Sequence, residues 1–157
     1  MRERYRRRGY HIVSVDESGF EPEAYRRHGY ARRGLPVYGL RSGKRGKRTN
    51  LLAAQRNGQL IAPLLFEGSC NTDLFGHWVE HDLCPLLTGK SLVIMDNASF
   101  HKSLAIRTAI EATGATLLFV APYSPDLNPI EKTFGAIKRK RSYEPELCLD
   151  DLVLIFC

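Results

Sequence analysis

Three carboxylates carry the chemistry that this sequence can do. Asp16 follows the run His11-Ile12-Val13-Ser14-Val15, and Asp96 ends the apolar run Leu92-Val93-Ile94-Met95. Glu131 opens a helical pattern after a loop rich in Pro, Ser, Asp and Asn. A buried strand that stops on a carboxylate places charge at the rim of a sheet, where open α/β folds bind ligands. Carboxylates gathered there repel, and without a cation at least one has its pKa raised. Divalent metal relieves the repulsion, and an oxygen-only donor set suits Mg²⁺ or Mn²⁺ rather than zinc. Two such ions activate a water or a 3′-hydroxyl and stabilise the leaving oxygen in phosphodiester displacement.

Taken singly, each carboxylate has a plainer explanation. Asp16-Glu17-Ser18-Gly19 reads as a turn after a strand. Asn128-Pro129-Ile130-Glu131 reads as a capping box, with Asn128 as N-cap, Pro129 at the first helical position and Glu131 at the third. What gives the three a joint meaning is the set of elements that must position them.

A strand is expected at residues 11–15. Asn57-Gly58 between the apolar runs 50–55 and 60–66 marks an antiparallel hairpin, and Pro63 gives its second strand one unpaired edge. Residues 72–87 carry apolar side chains at helical spacing, with Asn71 or Thr72 as cap and Pro85 as the stop. Strand 91–96, helix 103–112 closed by Gly114, and strand 116–120 form a parallel crossover unit. A helix from Pro129 runs into Lys138-Arg139-Lys140-Arg141, and a last one starts near Glu146. Residues 36–40 read as a short strand. Without that short strand, the sum is an α/β fold, a mixed five-stranded sheet with flanking helices.

The 157 residues suffice for one domain with a real core. Hydrophobic residues make up 43% and charged residues 25%, ordinary for a globular protein, and no apolar run reaches the roughly 20 residues of a membrane span. The basic N-terminus has no apolar segment behind it, so a soluble cytoplasmic protein is expected, with no membrane partner. The four cysteines form no Cys-x-x-Cys pair and read as free thiols. Residues 1–48 hold 14 Lys/Arg against 5 Asp/Glu, whereas 49–157 hold 9 against 12. That asymmetry points to an anionic polymer, against the plain alternative of a solvated basic surface. Residues 1–10 read as a mobile basic arm before a domain at 11–157.

Three motifs in order carry a resemblance: Val15-Asp16-Glu17-Ser18-Gly19; Met95-Asp96-Asn97 with His101 beyond; and Tyr123-Ser124-Pro125-Asp126-Leu127-Asn128-Pro129-Ile130-Glu131. Between Asp96 and Glu131 lie 34 residues. Motifs and spacing resemble the DDE transposases of the mariner superfamily, in their bacterial insertion-sequence branch, over about residues 11–141. The resemblance implies a ribonuclease H-like fold in which Asp16, Asp96 and Glu131 are the catalytic, metal-binding triad, with two Mg²⁺ or Mn²⁺ ions. It implies cleavage of transposon ends and transfer of the freed 3′-hydroxyls to target DNA, in a synaptic complex formed by a homodimer. Asn97 and His101 fall beside the site. Members of the family carry helix-turn-helix modules ahead of the catalytic domain. Here the first strand starts near residue 11, so the modules are expected to be absent, or supplied by a separate chain. On DNA the protein would be nucleoid-associated.

Arg41, Lys44, Arg45, Lys47 and Arg48, with Lys138, Arg139 and Lys140, suit contacts to phosphates, which position DNA without reading sequence. Two rival readings remain open. His77-Trp78-Val79-Glu80-His81, with Cys84 nearby, matches a zinc-peptidase pattern, but no clear third ligand follows and the polar face of an amphipathic helix explains it without metal. Alternatively the chain is a non-catalytic remnant that only binds DNA or dimerises.

Overall fold

The strand that carries Asp16 is twice as long as its β-branched run suggests. In the computed structural model, which describes residues 2–22, 33, 46–97, 103–120 and 128–157, β1 spans His11–Phe20. Asp16 therefore sits in mid-strand, and the turn expected at 16–19 does not form. The reason is pairing: Asp16 to Phe20 lie opposite Ala53 to Thr49 of β2 (Thr49–Arg56), so the hairpin partner holds this polar stretch extended.

β2 turns through Asn57 and Gly58, with φ of 55° and 89°, into β3 (Gln59–Glu67). Both residues sit in the left-handed region that a two-residue hairpin turn demands, and Asn and Gly tolerate it best. β3 is an edge strand, as Pro63 requires, and its register with β2 slips between Leu52 and Ala54. Next comes α2 (Thr72–Trp78), capped by Asn71, whose Oδ1 accepts the Leu74 N–H at 2.8 Å. The helix expected to continue to residue 87 instead widens into a π turn over Val79–Leu83 and tightens over Cys84–Leu86, where Pro85 supplies no N–H.

β4 (Ser91–Met95), α3 (Leu104–Ala112) and β5 (Thr116–Phe119) form the crossover, with β5 parallel to β4. Finally, α4 (Ile130–Tyr143) and α5 (Leu149–Leu154) complete the order. The sheet runs β3-β2-β1-β4-β5, its first three strands antiparallel and its last three parallel.

Helices cover both faces. On one, α2, its π turn and α3 pack Phe75, Trp78, Leu83, Ile106 and Ile110 onto Val13, Val15, Leu52, Val93 and Met95. On the other, α4 and α5 pack Ile130, Phe134, Ile137, Leu152 and Val153 onto Phe20, Leu51, Ala53 and Leu60. The period of two then assigns β1's remaining side chains: Ser14 and Asp16 alternate with Val13 and Val15, and belong to the α4 face.

Residues 2–7 of the basic arm form a short helix, α1. Glu3 lies 4.0 Å from both Arg6 and Arg7 along it, and the Tyr5 and Tyr10 rings meet edge to face at 5.1 Å. Offsetting charges and one aromatic contact give this segment more structure than its arginines suggest. The expected strand at 36–40 lies outside the described residues. Among the described residues, no helix is long and apolar enough to cross a membrane.

Candidate active site

Parallel pairing of β1 with β4 brings the first two carboxylates together. His11 lies opposite Ser91 and Ser14 opposite Ile94; two residues further along the same register come Asp16 and Asp96. Neighbouring strands stand about 4.8 Å apart. Asp96, half-buried, follows directly on β4, where alternation with Met95 assigns it to the face of Asp16.

The third carboxylate arrives from α4, which lies across that face. Glu131, in the first turn of α4, is exposed to solvent yet hydrogen-bonds the Asp16 carboxyl. Burial is the main reason that Asp16 is pushed up from 3.8 to about 7. The negative charge and hydrogen bond of Glu131, and the charge of Asp96, push the same way, while the Glu17 N–H, donating to Oδ1 at 2.8 Å, pulls it down. Such a carboxyl can hold a proton near neutral pH, and a cation is the other way to neutralise it.

The donor set consists of carboxylate oxygens, which suits Mg²⁺ or Mn²⁺. Among the described residues, no three Asp, Glu, His or Cys side chains already converge on one point that would hold an ion. Mg²⁺ keeps several of its waters and takes one or two carboxylates directly, so the near pair Asp16 and Glu131 with Asp96 beside them is compatible with it.

Sequence reasoning missed one residue of the site. Asn128 is not the N-cap of α4; that position falls to Pro129, and no side chain caps the helix. Instead the Asn128 amide turns inward, 5% exposed, and its Nδ2 donates to the Val15 carbonyl and to Asp16 Oδ2, each at 3.3 Å. The short polar residue before Pro129 was visible as a cap signal; its distant partners were not.

Of the other expected residues, Asn97 follows Asp96 and is half-buried, and His101 lies outside the described residues, as do Arg41, Lys44 and Arg45. Lys47 and Arg48 line an open groove of about 880 Å³ with Glu17, Asn50, Glu67 and Cys70. Lys47 Nζ pairs with Glu67 at 3.0 Å, and the Arg48 guanidinium lies over Gly19, in space that any Cβ there would occupy. Burial, then the neighbouring Glu17, push the Cys70 thiol up to about 12. On α4, Lys138 Nζ stands 5.4 Å from the centre of the Phe20 ring, Arg139 is exposed, and Lys140 Nζ pairs with Glu144 at 2.7 Å. Of these eight residues the structure thus describes five, Lys47 and Arg48 just ahead of β2 and Lys138, Arg139 and Lys140 on α4. The His77 and His81 rings stack 4.2 Å apart on the solvent side of α2 and its π turn, with no third ligand among the described residues.

Residues 11–153 match the DDE superfamily endonuclease family. No curated protein matches the chain. Among solved structures, the Mos1 strand transfer complex is 26% identical over 88% of this chain and 44% of its own, with a TM-score of 0.71. The Mos1 mariner paired end complex with Mn is 27% identical over 85% and 43%, at 0.66. The Mos1 transposase catalytic domain with Raltegravir and Mg, 22% identical over 90% and 67% at 0.61, shares the fold. The chain spans less than half the length of the Mos1 proteins in the two complexes.

Proposed function

The chain belongs to the DDE superfamily endonucleases, and from that premise we propose that it is the catalytic part of a transposase that cuts DNA and joins the freed 3′-hydroxyl to a target strand. In the first step a water oxygen bonds to phosphorus, the bond to the 3′-oxygen breaks, and that oxygen leaves with a proton as a 3′-hydroxyl. In the second, this hydroxyl attacks a target phosphodiester and displaces another 3′-hydroxyl, so bonds made and broken balance without an outside energy source.

The observation that carries the reading is Asp16: a carboxyl held up near 7 by burial, Glu131 and Asp96 on one sheet face. Asp16 and Asp96 would share divalent ions and Glu131 would complete a second site. Two Mg²⁺ or Mn²⁺ ions bound there would activate the attacking water or hydroxyl and neutralise the leaving oxygen. The chain's own part is to supply the carboxylates from three elements fixed by strand register and helix packing. Lys47, Arg48 and Arg139 remain accessible for phosphates. The Mos1 relatives are strand transfer and paired end complexes. By analogy this chain would work on paired transposon ends as a homodimer, with DNA-reading modules in the same or a separate chain.

The test uses plasmid or duplex DNA with Mg²⁺ or Mn²⁺, wild type against Asp96→Asn. Cleavage by wild type, and its loss in the variant with DNA binding retained, is the expected result. DNA binding without cleavage by wild type would leave only a DNA-binding role.

A further inference from the structure

Asn128 makes contacts that a helix cap has no use for. Its Nδ2 reaches two acceptors from β1, the Val15 carbonyl and Asp16 Oδ2. Its own backbone carbonyl accepts the Glu131 N–H at 3.3 Å. One residue thereby ties the first carboxylate to the helix turn that carries the third, across more than a hundred positions of sequence. The amide's orientation is chemically determined. Rotated by half a turn, its oxygen would face the Val15 carbonyl, an acceptor with no proton to offer. The NH₂ must therefore face β1, and Oδ1 is left buried with no donor among the described residues. A buried amide oxygen without a donor gives up its hydration for nothing, so what fills that need matters.

Asp16 is the other half of the geometry. Its Oδ1 accepts from the Glu17 N–H and its Oδ2 from Asn128, so the carboxylate plane is fixed from both sides. A carboxylate so oriented meets a cation without first losing rotational freedom, and an orphaned amide oxygen beside it suits a proton of a metal-bound water. We infer that Asn128 is a positioning residue of the carboxylate site, orienting Asp16 through its NH₂, anchoring Glu131's turn through its carbonyl, and offering Oδ1 to the water shell of the bound cation. The inference rests on the metal-dependent reading above.

Two variants test it. Asn128→Leu keeps the volume and removes the amide; Asn128→Ala serves if Leu does not fold. Mn²⁺ affinity is measured by calorimetry, and thermal unfolding is followed in EDTA, for these variants, the wild type and Asp16→Asn. Outer-shell partners typically contribute 10–100-fold to metal affinity, so Mn²⁺ binding should weaken by about that factor. A purely structural Asn128 would lower the unfolding temperature in EDTA and leave the Mn²⁺ affinity within about twofold of wild type. That outcome overturns the inference while the metal site stands, provided Asp16→Asn abolishes binding. Absence of Mn²⁺ binding by wild type would overturn the inference and the metal-dependent reading together.

Discussion

The two faces of β1 are built for opposite purposes. Val13 and Val15 are fully buried in the apolar cluster that α2 and α3 close, and there Trp78 Nε1 donates to the Ala62 carbonyl at 2.8 Å. Ser14 and Asp16, one residue out of phase, face α4. There the Ser14 hydroxyl is buried without a partner among the described residues, and Asp16 crowds against two more carboxylates. One backbone thus carries a dry scaffold on one side and unrelieved polar groups on the other. The scaffold face supplies stability, part of which the site face consumes until something neutralises it.

The largest expected effect breaks the scaffold. Trp78 is fully buried, and Trp78→Ala removes its packing, leaves a cavity and strips the Ala62 carbonyl of its donor. A loss of about 3–5 kcal/mol is expected, read as a lower midpoint in urea with an unchanged slope. A loss under about 1 kcal/mol would mean that this face is not the dominant core.

The converse experiment acts on the site face. Asp16 titrates near 3.8 when unfolded and near 7 when folded, so between those values the folded protein binds more protons than the unfolded chain. The Asp16 contribution to metal-free stability should therefore be greatest below about pH 4, fall as pH rises to about 7, and level off above, by at most roughly 4 kcal/mol. Asp16→Asn should flatten this slope and make the metal-free protein more stable at pH 8, even as it removes the proposed chemistry. Thermal unfolding in EDTA across pH 4–8 is the measurement. A profile identical for wild type and variant would show that Asp16 is not held up by its surroundings.

How much of this the sequence disclosed follows the same division. The crossover unit, the Asn57-Gly58 hairpin and both apolar helix faces were legible because each rests on periodicity or turn chemistry within a short window. Asp16, Asp96 and Glu131 were recognisable as motif residues, and Asp16 and Asp96 stand together for a reason the sequence holds only implicitly, the parallel register of β1 and β4. The length of β1 was not legible, because Glu17, Ser18 and Gly19 are poor strand residues held extended by β2. Nor was the role of Asn128: the cap signal is local, whereas its bonds to Val15 and Asp16 depend on how α4 lies across the sheet.

The smallest effect concerns the rim, where charge neither builds the scaffold nor strains the site. Lys47 is 81% exposed, and its partner Glu67 is 59% exposed. Such a pair contributes about 0–1 kcal/mol, so Lys47→Gln should leave unfolding nearly unchanged. If Lys47 instead meets a phosphate, the substitution weakens binding alike across DNA sequences and lowers the salt dependence of affinity by about one counterion. The expected result is therefore a shallower slope of log affinity against log salt at constant stability. An unchanged slope would assign Lys47 to Glu67 alone and move the DNA path away from the groove that Arg48 shares with it.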